Sequence, residues 1–358
     1  MLANFGIRTL APTSIETKPA PDKNLGSRRL QMVASRNPVK VTVAVPARLH
    51  LGFLDLDGGL GRRFGSIGVA ISDLRTRIAI ERAASTEVAG PESDRVEHYL
   101  DTMQRDLGLA GGHRVEIIDA VPAHAGLGSG TQLALAVAAA VRRLHGHPLD
   151  VAADAIRLDR GARSGAGVGL FHHGGLVLDG GRGAEMRPAP VIARMPVPDD
   201  WCILLVLDPA RQGKHGAEES AAFERLPPFP AELAAHLCRL VVMKALPSLA
   251  ERDLAGFGSA VTELQARLGD YYAPAQGGTR FMSPDVGAVL DALAHAGATG
   301  IGQSSWGPTA FAFAPSRGNA ERMAELARQH PNARALDIRV CVGLNRGAEL
   351  VAHEHDTR

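Results

Sequence analysis

The chain has 358 residues, of which 45% are hydrophobic and 22% are charged, and its formal net charge is +1 at pH 7. This composition is typical of a globular protein of about two domains, and it excludes wholesale disorder. The near-neutral charge argues against a nucleic-acid partner, because nucleic-acid binders carry an excess of Lys and Arg. No membrane association is expected either, since the longest apolar stretches, Leu133–Val141 and Trp201–Leu207, fall short of the ~20 residues of a membrane span.

Cysteine is rare in this chain. Cys202, Cys238 and Cys341 lie far apart, and no two of them form a C-x-x-C pair. Three such residues build neither a disulfide framework nor a zinc site, so a reducing, cytoplasmic location is expected.

Residues 1–38 differ from the rest of the sequence. They contain prolines at positions 12, 19, 21 and 38, scattered basic residues and no sustained periodicity, which predicts a disordered leader. We expect an N-terminal domain over residues 39–190 and a second domain over residues 191–358, with the proline-rich stretch 188–198 as the linker.

The predicted elements of the N-terminal half begin with a strand at Lys40–Val45, where polar and β-branched side chains alternate. A glycine-rich loop is expected from Gly52 to Gly68. A segment rich in Ala, Leu and Val, residues 132–144, predicts a helix, and that helix should be buried because it is apolar nearly all round. The other predicted elements are strands at 69–81, 113–118 and 176–178 and helices at 92–109 and 150–160.

The C-terminal half mixes both kinds of element. Strands are expected at 201–207, 310–314 and 335–341, and helices at 216–225, 231–246, 251–268, 284–296 and 318–330. Because the order shows no regular alternation of strand and helix, two α+β domains are favoured over a doubly wound sheet.

The strongest local signal is the glycine loop at residues 122–131. Gly126, Gly128 and Gly130 let the backbone approach an anion closely. Ser129 and Thr131 add hydroxyl and N–H groups at a helix N-terminus, where the helix dipole favours phosphate. The loop has neither the Walker A pattern nor the dinucleotide-binding fingerprint. The alternative is a glycine-rich helix cap that holds no ligand.

Three motifs in this order resemble those of the GHMP kinase superfamily. They are Pro46–Gly52, Pro122–Ser129 and Gly302–Phe311. The resemblance covers nearly the whole chain after the leader. It implies an N-terminal domain of ribosomal-protein-S5 type and a ferredoxin-like C-terminal domain.

Two positions depart from the kinases of that superfamily. Gly130 stands where they have a Ser that helps to hold the magnesium-bound nucleotide phosphate, and Gly167 stands where mevalonate-kinase-like members have the catalytic Asp. Glycine cannot accept a proton from a substrate hydroxyl, which counts against an ATP-dependent kinase. A ligand sensor without catalytic activity is a further alternative.

One branch of the superfamily fits these departures. The segments 48–55, 61–71, 128–132, 163–165 and 303–309 resemble the β-ribofuranosylaminobenzene 5'-phosphate synthases. The resemblance implies a magnesium-dependent homodimer that joins phosphoribosyl pyrophosphate (PRPP) to 4-aminobenzoate or 4-hydroxybenzoate, with release of CO2 and pyrophosphate.

Arg48, His50 and Lys214 are the candidate catalytic residues, and the pKa of an ordinary histidine suits proton transfer. Asp55 and Asp57 lie on one face if extended and would then offer oxygen ligands to Mg2+; a solvated turn is the alternative. Trp306 either stacks on the benzoate ring or packs in the core. The full set expected to bind substrate or phosphate is Arg62, Arg63, Ser66, Gly126, Gly128, Ser129, Gly130, Thr131, Gln132, Arg163, Ser164, His215, Ser304, Ser305 and Trp306.

Overall fold

The computed structural model describes residues 38–184 and 188–354, so the predicted leader lies outside the described residues except for Pro38. The strands of this part are β1 (Lys40–Asp55), β2 (Phe64–Ala83), β3 (Glu87–Ala89), β4 (Gly112–Asp119), β5 (Leu176–Asp179), β6 (Val191–Met195), β7 (Cys202–Leu207), β8 (Thr299–Gln303), β9 (Thr309–Ala314), β10 (Asp337–Val342) and β11 (Glu349–His353).

The helices are α1 (Ser93–Leu107), α2 (Ser129–Leu144), α3 (Val151–Arg157), α4 (Ala166–His173), α5 (Gly216–Arg225), α6 (Ala231–Leu240), α7 (Leu246–Ala250), α8 (Leu254–Tyr272), α9 (Pro284–His295) and α10 (Arg317–Gln329). Strands and helices are interspersed along the chain, and the strands form two separate sheets. This arrangement confirms the predicted α+β class.

The first sheet has the strand order β11-β1-β2-β4-β3, and β5 and β6 extend it alongside the first half of β2. Strands β1 and β2 form a long antiparallel hairpin that pairs Lys40 with Glu81 at one end and Asp55 with Phe64 at the other. Helix α2 packs on this hairpin and is buried as predicted, although it begins at Ser129 rather than Gln132.

The second sheet has the order β10-β7-β9-β8, and all neighbouring strands are antiparallel. Helices α9 and α10 pack on one face of this sheet. On its other face, Ile203 and Leu205 of β7 share a core with Leu49 and Leu51 of β1. The two sheets are therefore joined by one continuous set of apolar side chains.

Two predictions of local structure are wrong. The loop expected from Gly52 to Gly68 is mostly strand, because β1 continues to Asp55 and β2 begins at Phe64. A register shift between His50 and Gly52 accommodates this irregular stretch within the sheet. The linker expected over residues 188–198 contains β6, whose backbone pairs with β5.

A proline interrupts the helical run from Ala231 to Ala250. Between α6 and α7 the chain forms a π-helical turn over residues 241–245. Pro247 has no N–H to donate, and its ring crowds the preceding turn. The helical hydrogen bonds therefore change to the wider π-helical spacing there. By length and composition alone this run could cross a membrane. A core helix meets the same criterion; here Leu237 and Val241 lie in the core, whereas Val242 and Met243 are exposed.

Candidate active site

The three sequence motifs meet through hydrogen bonds near the middle of β1. The Arg48 N–H donates to the Leu127 carbonyl at 3.0 Å. The His50 N–H donates to Ser304 Oγ at 2.9 Å, and the Ser304 hydroxyl donates to the Gly126 carbonyl at 2.8 Å. Ser304 is fully buried and so joins the first and second motifs to the third.

The glycine loop requires glycine at two of its positions. Gly126 has φ +82°, and a Cβ there would overlap the carbonyl oxygen of Ser304 and the backbone of Gly307. Gly128 has φ +76° and caps α2, with the Arg48 side chain directly against it. The loop thus lies in direct backbone contact with the turn that follows β8.

A cavity of about 390 Å³, here called the loop cavity, lies at the first turn of α2. Lys214 lines it and is 2.7 Å from the Glu218 carboxylate. His215 also lines it and stacks on His124 at 3.5 Å. The residues that give the cavity its character are Arg48, Arg95, Gly126, Gly128, Ser129, Gly130, Thr131, Arg160, Lys214 and His215. Cations and a helix N-terminus together give this cavity groups that suit an anion, although Glu219 also lines it.

Burial controls the charge of Arg48 and His50. It lowers the pKa of Arg48 to about 10 although Glu219 and Asp179 oppose it, so the guanidinium stays charged at neutral pH. His50 is 3% exposed. Its burial, together with the charge of Arg48, lowers its pKa well below the ordinary value, so the imidazole is neutral. The expectation of an ordinary histidine pKa at this position is therefore wrong.

A second cavity, of about 220 Å³, lies beside the first and is here called the central cavity. Arg48, His50, Arg163 and Glu219 line it. Arg163 Nη1 is 2.6 Å from Glu219 Oε2. Phe53 also lines this cavity and adds an apolar surface. The central cavity thus combines an apolar surface with cationic side chains.

The third and largest cavity, of about 890 Å³, is here called the arginine cavity. Arg62 donates to the carbonyls of Gly180 and Gly181 at 2.7 and 2.6 Å, and Arg63 donates to the carbonyl of Leu56 at 2.8 Å. The arginines that line the cavity are Arg62, Arg63, Arg160, Arg163 and Arg182. Arg160 and Glu219 line all three cavities, which therefore form one cleft.

Four predicted site residues do not line these cavities: Asp55, Ser66, Gln132 and Ser304. Ser66 is fully buried and donates to Asp179, which also accepts the backbone N–H groups of Gly165 and Gly181. Gln132 is fully buried, and its amide donates to the Gly167 carbonyl at 3.1 Å. Ser164 lines the central cavity, and its hydroxyl lies 2.6 Å from that of Ser66.

The carboxylates predicted as magnesium ligands, those of Asp55 and Asp57, already accept hydrogen bonds from neighbouring backbone N–H groups. Asp55 Oδ1 accepts the N–H groups of Asp57 and Gly58, and Asp57 Oδ2 accepts that of Gly59. No group of three or more metal-binding side chains occurs within residues 38–184 and 188–354. Asp57 lines the arginine cavity. Its position fits an ion that arrives with a phosphate group, because Mg2+ commonly uses only one or two protein carboxylates.

Trp306 is buried in an aromatic cluster. It is 3% exposed, and its ring lies 5.3 Å from Phe223 and 4.6 Å from Tyr272. Ser305, with φ +57°, lines both the loop cavity and the central cavity. The pocket between Trp306 and His50 measures only about 30 Å³, close to the size of one water. Stacking of Trp306 on a benzoate stays a prediction.

The structure explains both departures from the kinase motifs. A Cβ on Gly130 would lie 2.7 Å from Arg95 Nη2, so the missing side chain leaves room for a guanidinium. A Cβ on Gly167 would lie 3.0 Å from Thr131 Cγ2, beside the first turn of α2. The site thus has an arginine near the position of the kinase serine and no carboxylate at the position of the kinase aspartate.

Sequence reasoning missed five charged residues that line the three cavities: Arg95, Asp159, Arg160, Arg182 and Glu219. They come from α1, from the segment after α3, from the segment after β5 and from α5, and none lies in one of the three motifs. The only signal for Arg95 was the absent side chain at Gly130, which does not say where in the sequence the neighbouring cation lies.

Comparison with known sequences shows the family to which this chain is related. The family described as "GHMP kinases N terminal domain" matches residues 94–175, and "GHMP kinases C terminal" matches residues 245–332. A protein of Archaeoglobus fulgidus named beta-ribofuranosylphenol 5'-phosphate synthase is 32% identical over 85% of this chain and 97% of its own length. A protein of the same name from Methanothermobacter thermautotrophicus is 29% identical over 87% and 99%.

Solved structures share the fold. Homoserine kinase from Cytophaga hutchinsonii aligns with a TM-score of 0.63 at 19% identity, covering 87% of this chain and 98% of its own. Mevalonate-3-kinase from Thermoplasma acidophilum aligns with a TM-score of 0.61 at 15% identity, covering 88% and 100%. At these identities the likeness concerns the fold alone.

Proposed function

Because the chain belongs to the family of the beta-ribofuranosylphenol 5'-phosphate synthases, within the GHMP kinase superfamily, we propose that it joins PRPP to a para-substituted benzoate. The products are CO2, pyrophosphate and a C-riboside 5'-phosphate. The name of the relatives specifies a phenol, which favours 4-hydroxybenzoate over 4-aminobenzoate as the acceptor.

The observation that carries this proposal is the distribution of cations along one cleft. PRPP has a pyrophosphate at one end of its ribose and a phosphate at the other. The cleft has the loop cavity at one end and the arginine cavity at the other, joined through the central cavity. We assign the pyrophosphate to the loop cavity, the 5'-phosphate to the arginine cavity and the acceptor ring to the central cavity beside Phe53.

The chain's own groups account for most of the proposed catalysis. Arg48 and Lys214 would hold the leaving pyrophosphate by charge, and the neutral His50 would orient the acceptor from the side of Phe53. Magnesium carried by the pyrophosphate would supply further positive charge in the loop cavity, whose lining includes neither Asp55 nor Asp57. No group has to remove a proton from a hydroxyl, which is consistent with glycine at position 167.

The electron balance needs no oxidant or cofactor. The anomeric C–O bond breaks with its electron pair going to pyrophosphate. The ring carbon that bears the carboxylate supplies the pair for the new C–C bond, and loss of CO2 returns a pair to the ring. The para hydroxyl or amino group activates the ring for this attack.

A kinase is not favoured, because Arg95 lies against Gly130 and the curated relatives are synthases. A homodimer and a cytoplasmic location belong to the same proposal. The free thiols of Cys202, Cys238 and Cys341 support the location, since they suit a reducing compartment.

The test follows release of labelled CO2 from carboxyl-labelled 4-hydroxybenzoate or 4-aminobenzoate with Mg2+ and PRPP, with ATP replacing PRPP in a parallel sample. We expect release that depends on PRPP and falls roughly 100-fold in Arg48→Ala. Arg114→Ala is the matched control, because Arg114 lies on β4 and pairs with Glu81 and Glu87 away from the cleft. If neither benzoate gives PRPP-dependent release of CO2, the proposal is refuted.

A further inference from the structure

The central cavity is dominated by positive charge. Arg48, Arg160 and Arg163 all line it. Among the described residues that line this cavity, the carboxylates are Asp159 and Glu219. Asp159 is exposed, whereas the side chain of Glu219 is 18% exposed. Glu219 is therefore the carboxylate whose charge acts in the less aqueous part of the cleft.

Glu219 is held in place by contacts around it. Arg163 Nη1 lies 2.6 Å from its carboxylate, and Arg163 Nη2 donates to Ser220 Oγ at 2.8 Å. The same guanidinium lies over the Phe223 ring at 5.6 Å. Arg163 thus joins three side chains of α5 to the segment that precedes α4. The carboxylate is consequently positioned before any substrate enters.

The charge of Glu219 depends on several neighbours. Arg163, Arg48 and His215 favour the ionised form, and burial opposes it and raises the pKa of the carboxyl above its ordinary value. Tyr272 of α8 also faces it. Arg160 lines the same cavities, and Lys214 lines the loop cavity with it.

The proposed reaction places a positive charge in this surrounding. When the anomeric C–O bond breaks, the electron pair leaves with pyrophosphate, and positive charge develops on the ribose between the two phosphate groups. The cations that bind those phosphates repel that charge, and a carboxylate attracts it. Glu219 lines the junction between the two anion-binding cavities, where the ribose would lie.

We propose that Glu219 is a catalytic residue that stabilises the positive charge formed on the ribose of the donor substrate. This inference rests on the proposed function. It assigns to α5 a carboxylate with a role different from that of the kinase aspartate, because Glu219 stabilises a cation and removes no proton.

The decisive comparison is Glu219→Gln against Glu224→Gln. Glu224 lies on the same helix and is exposed. We expect Glu219→Gln to lower kcat for CO2 release roughly 100-fold while the KM for PRPP changes little. Glutamine keeps a hydrogen-bond acceptor for Arg163. Pyrophosphate binding, measured by calorimetry, should be equal or tighter in this variant, and Glu224→Gln should match the wild type in both readouts.

The pH profile provides a second readout. The wild-type kcat should fall as the pH decreases through the raised pKa of Glu219, and Glu219→Asp should retain such an acid limb, whereas Glu219→Gln should lose it.

A kcat unchanged in Glu219→Gln contradicts the inference. A joint loss of kcat, pyrophosphate affinity and Tm assigns Glu219 a structural role and contradicts it as well. Failure of the wild type to release CO2 refutes the proposed function instead, and the two failures are thereby separated.

Discussion

The two ends of the cleft use different means to present positive charge. The loop cavity combines backbone with cationic side chains: Gly126 and Gly128 have positive φ angles, the first turn of α2 follows them, and Arg48 and Lys214 line the cavity. The arginine cavity relies on the exposed side chains of Arg62 and Arg63. The backbone part depends on the packing of whole segments, whereas the side chains contribute individual charges.

The packing around each end supports this distinction. Gly126 meets Ser304 and Gly307 directly. Gly61, beside the two arginines, has almost the same φ of +81°, and nothing lies within 4 Å of a Cβ added there. The chain thus offers a pair of glycines that share a conformation and differ only in their surroundings.

The largest expected effect tests this pair. Gly126→Ala should lower the free energy of unfolding by about 3 kcal/mol, because a left-handed conformation and an overlap with the Ser304 carbonyl add together. Gly61→Ala should cost about 1 kcal/mol, from the conformation alone. Chemical denaturation of both variants provides the measurement. Equal losses would show that the loop tolerates a side chain and is not fixed by the third motif.

An intermediate effect is expected when single cations are removed. Arg62→Ala should weaken binding of ribose 5-phosphate roughly 10-fold and leave pyrophosphate binding nearly unchanged, and Lys214→Ala should do the reverse, since each loses one charge-assisted contact. Calorimetry with each ligand provides the measurement, and Arg114→Ala serves as the control. If both variants weaken both ligands, the two ends do not discriminate between the phosphates.

The loop cavity was the more predictable of the two cavities from sequence. Gly126 and Gly128 indicate a backbone that can approach an anion closely, because few other residues adopt their conformation. Ser129 follows them at the start of the helix. The α+β class followed from the order of elements, and α2 was recognised as buried because it is apolar nearly all round.

The rest of the cleft depends on tertiary contacts that no local pattern encodes. Glu219 reaches the central cavity only because Arg163 holds it from another segment. Ser66 looked like a ligand-binding serine, and it donates instead to the buried Asp179. Likewise, β6 escaped prediction because its stability comes from pairing with β5, and prolines surround it.

The smallest expected effect concerns His50, a buried titratable group that lines the central cavity between the two ends. The folded protein resists protonation of this imidazole, because burial and Arg48 lower its pKa well below the ordinary value. The unfolded chain takes up that proton near pH 6.5. Lowering the pH from 7.5 to 5.5 should therefore cost the wild type on the order of 1 kcal/mol of stability through His50.

His50→Gln should remove this increment from the pH dependence of the free energy of unfolding, as measured by denaturation at both pH values. His295→Gln is the control, because His295 is exposed at the end of α9. Burial also lowers the pKa of His113 and His145, but both remain in every variant, so the difference isolates His50. An unchanged pH dependence in His50→Gln would mean that water reaches this imidazole. The central cavity would then be open to solvent at His50, like the arginine cavity at the exposed Arg62 and Arg63.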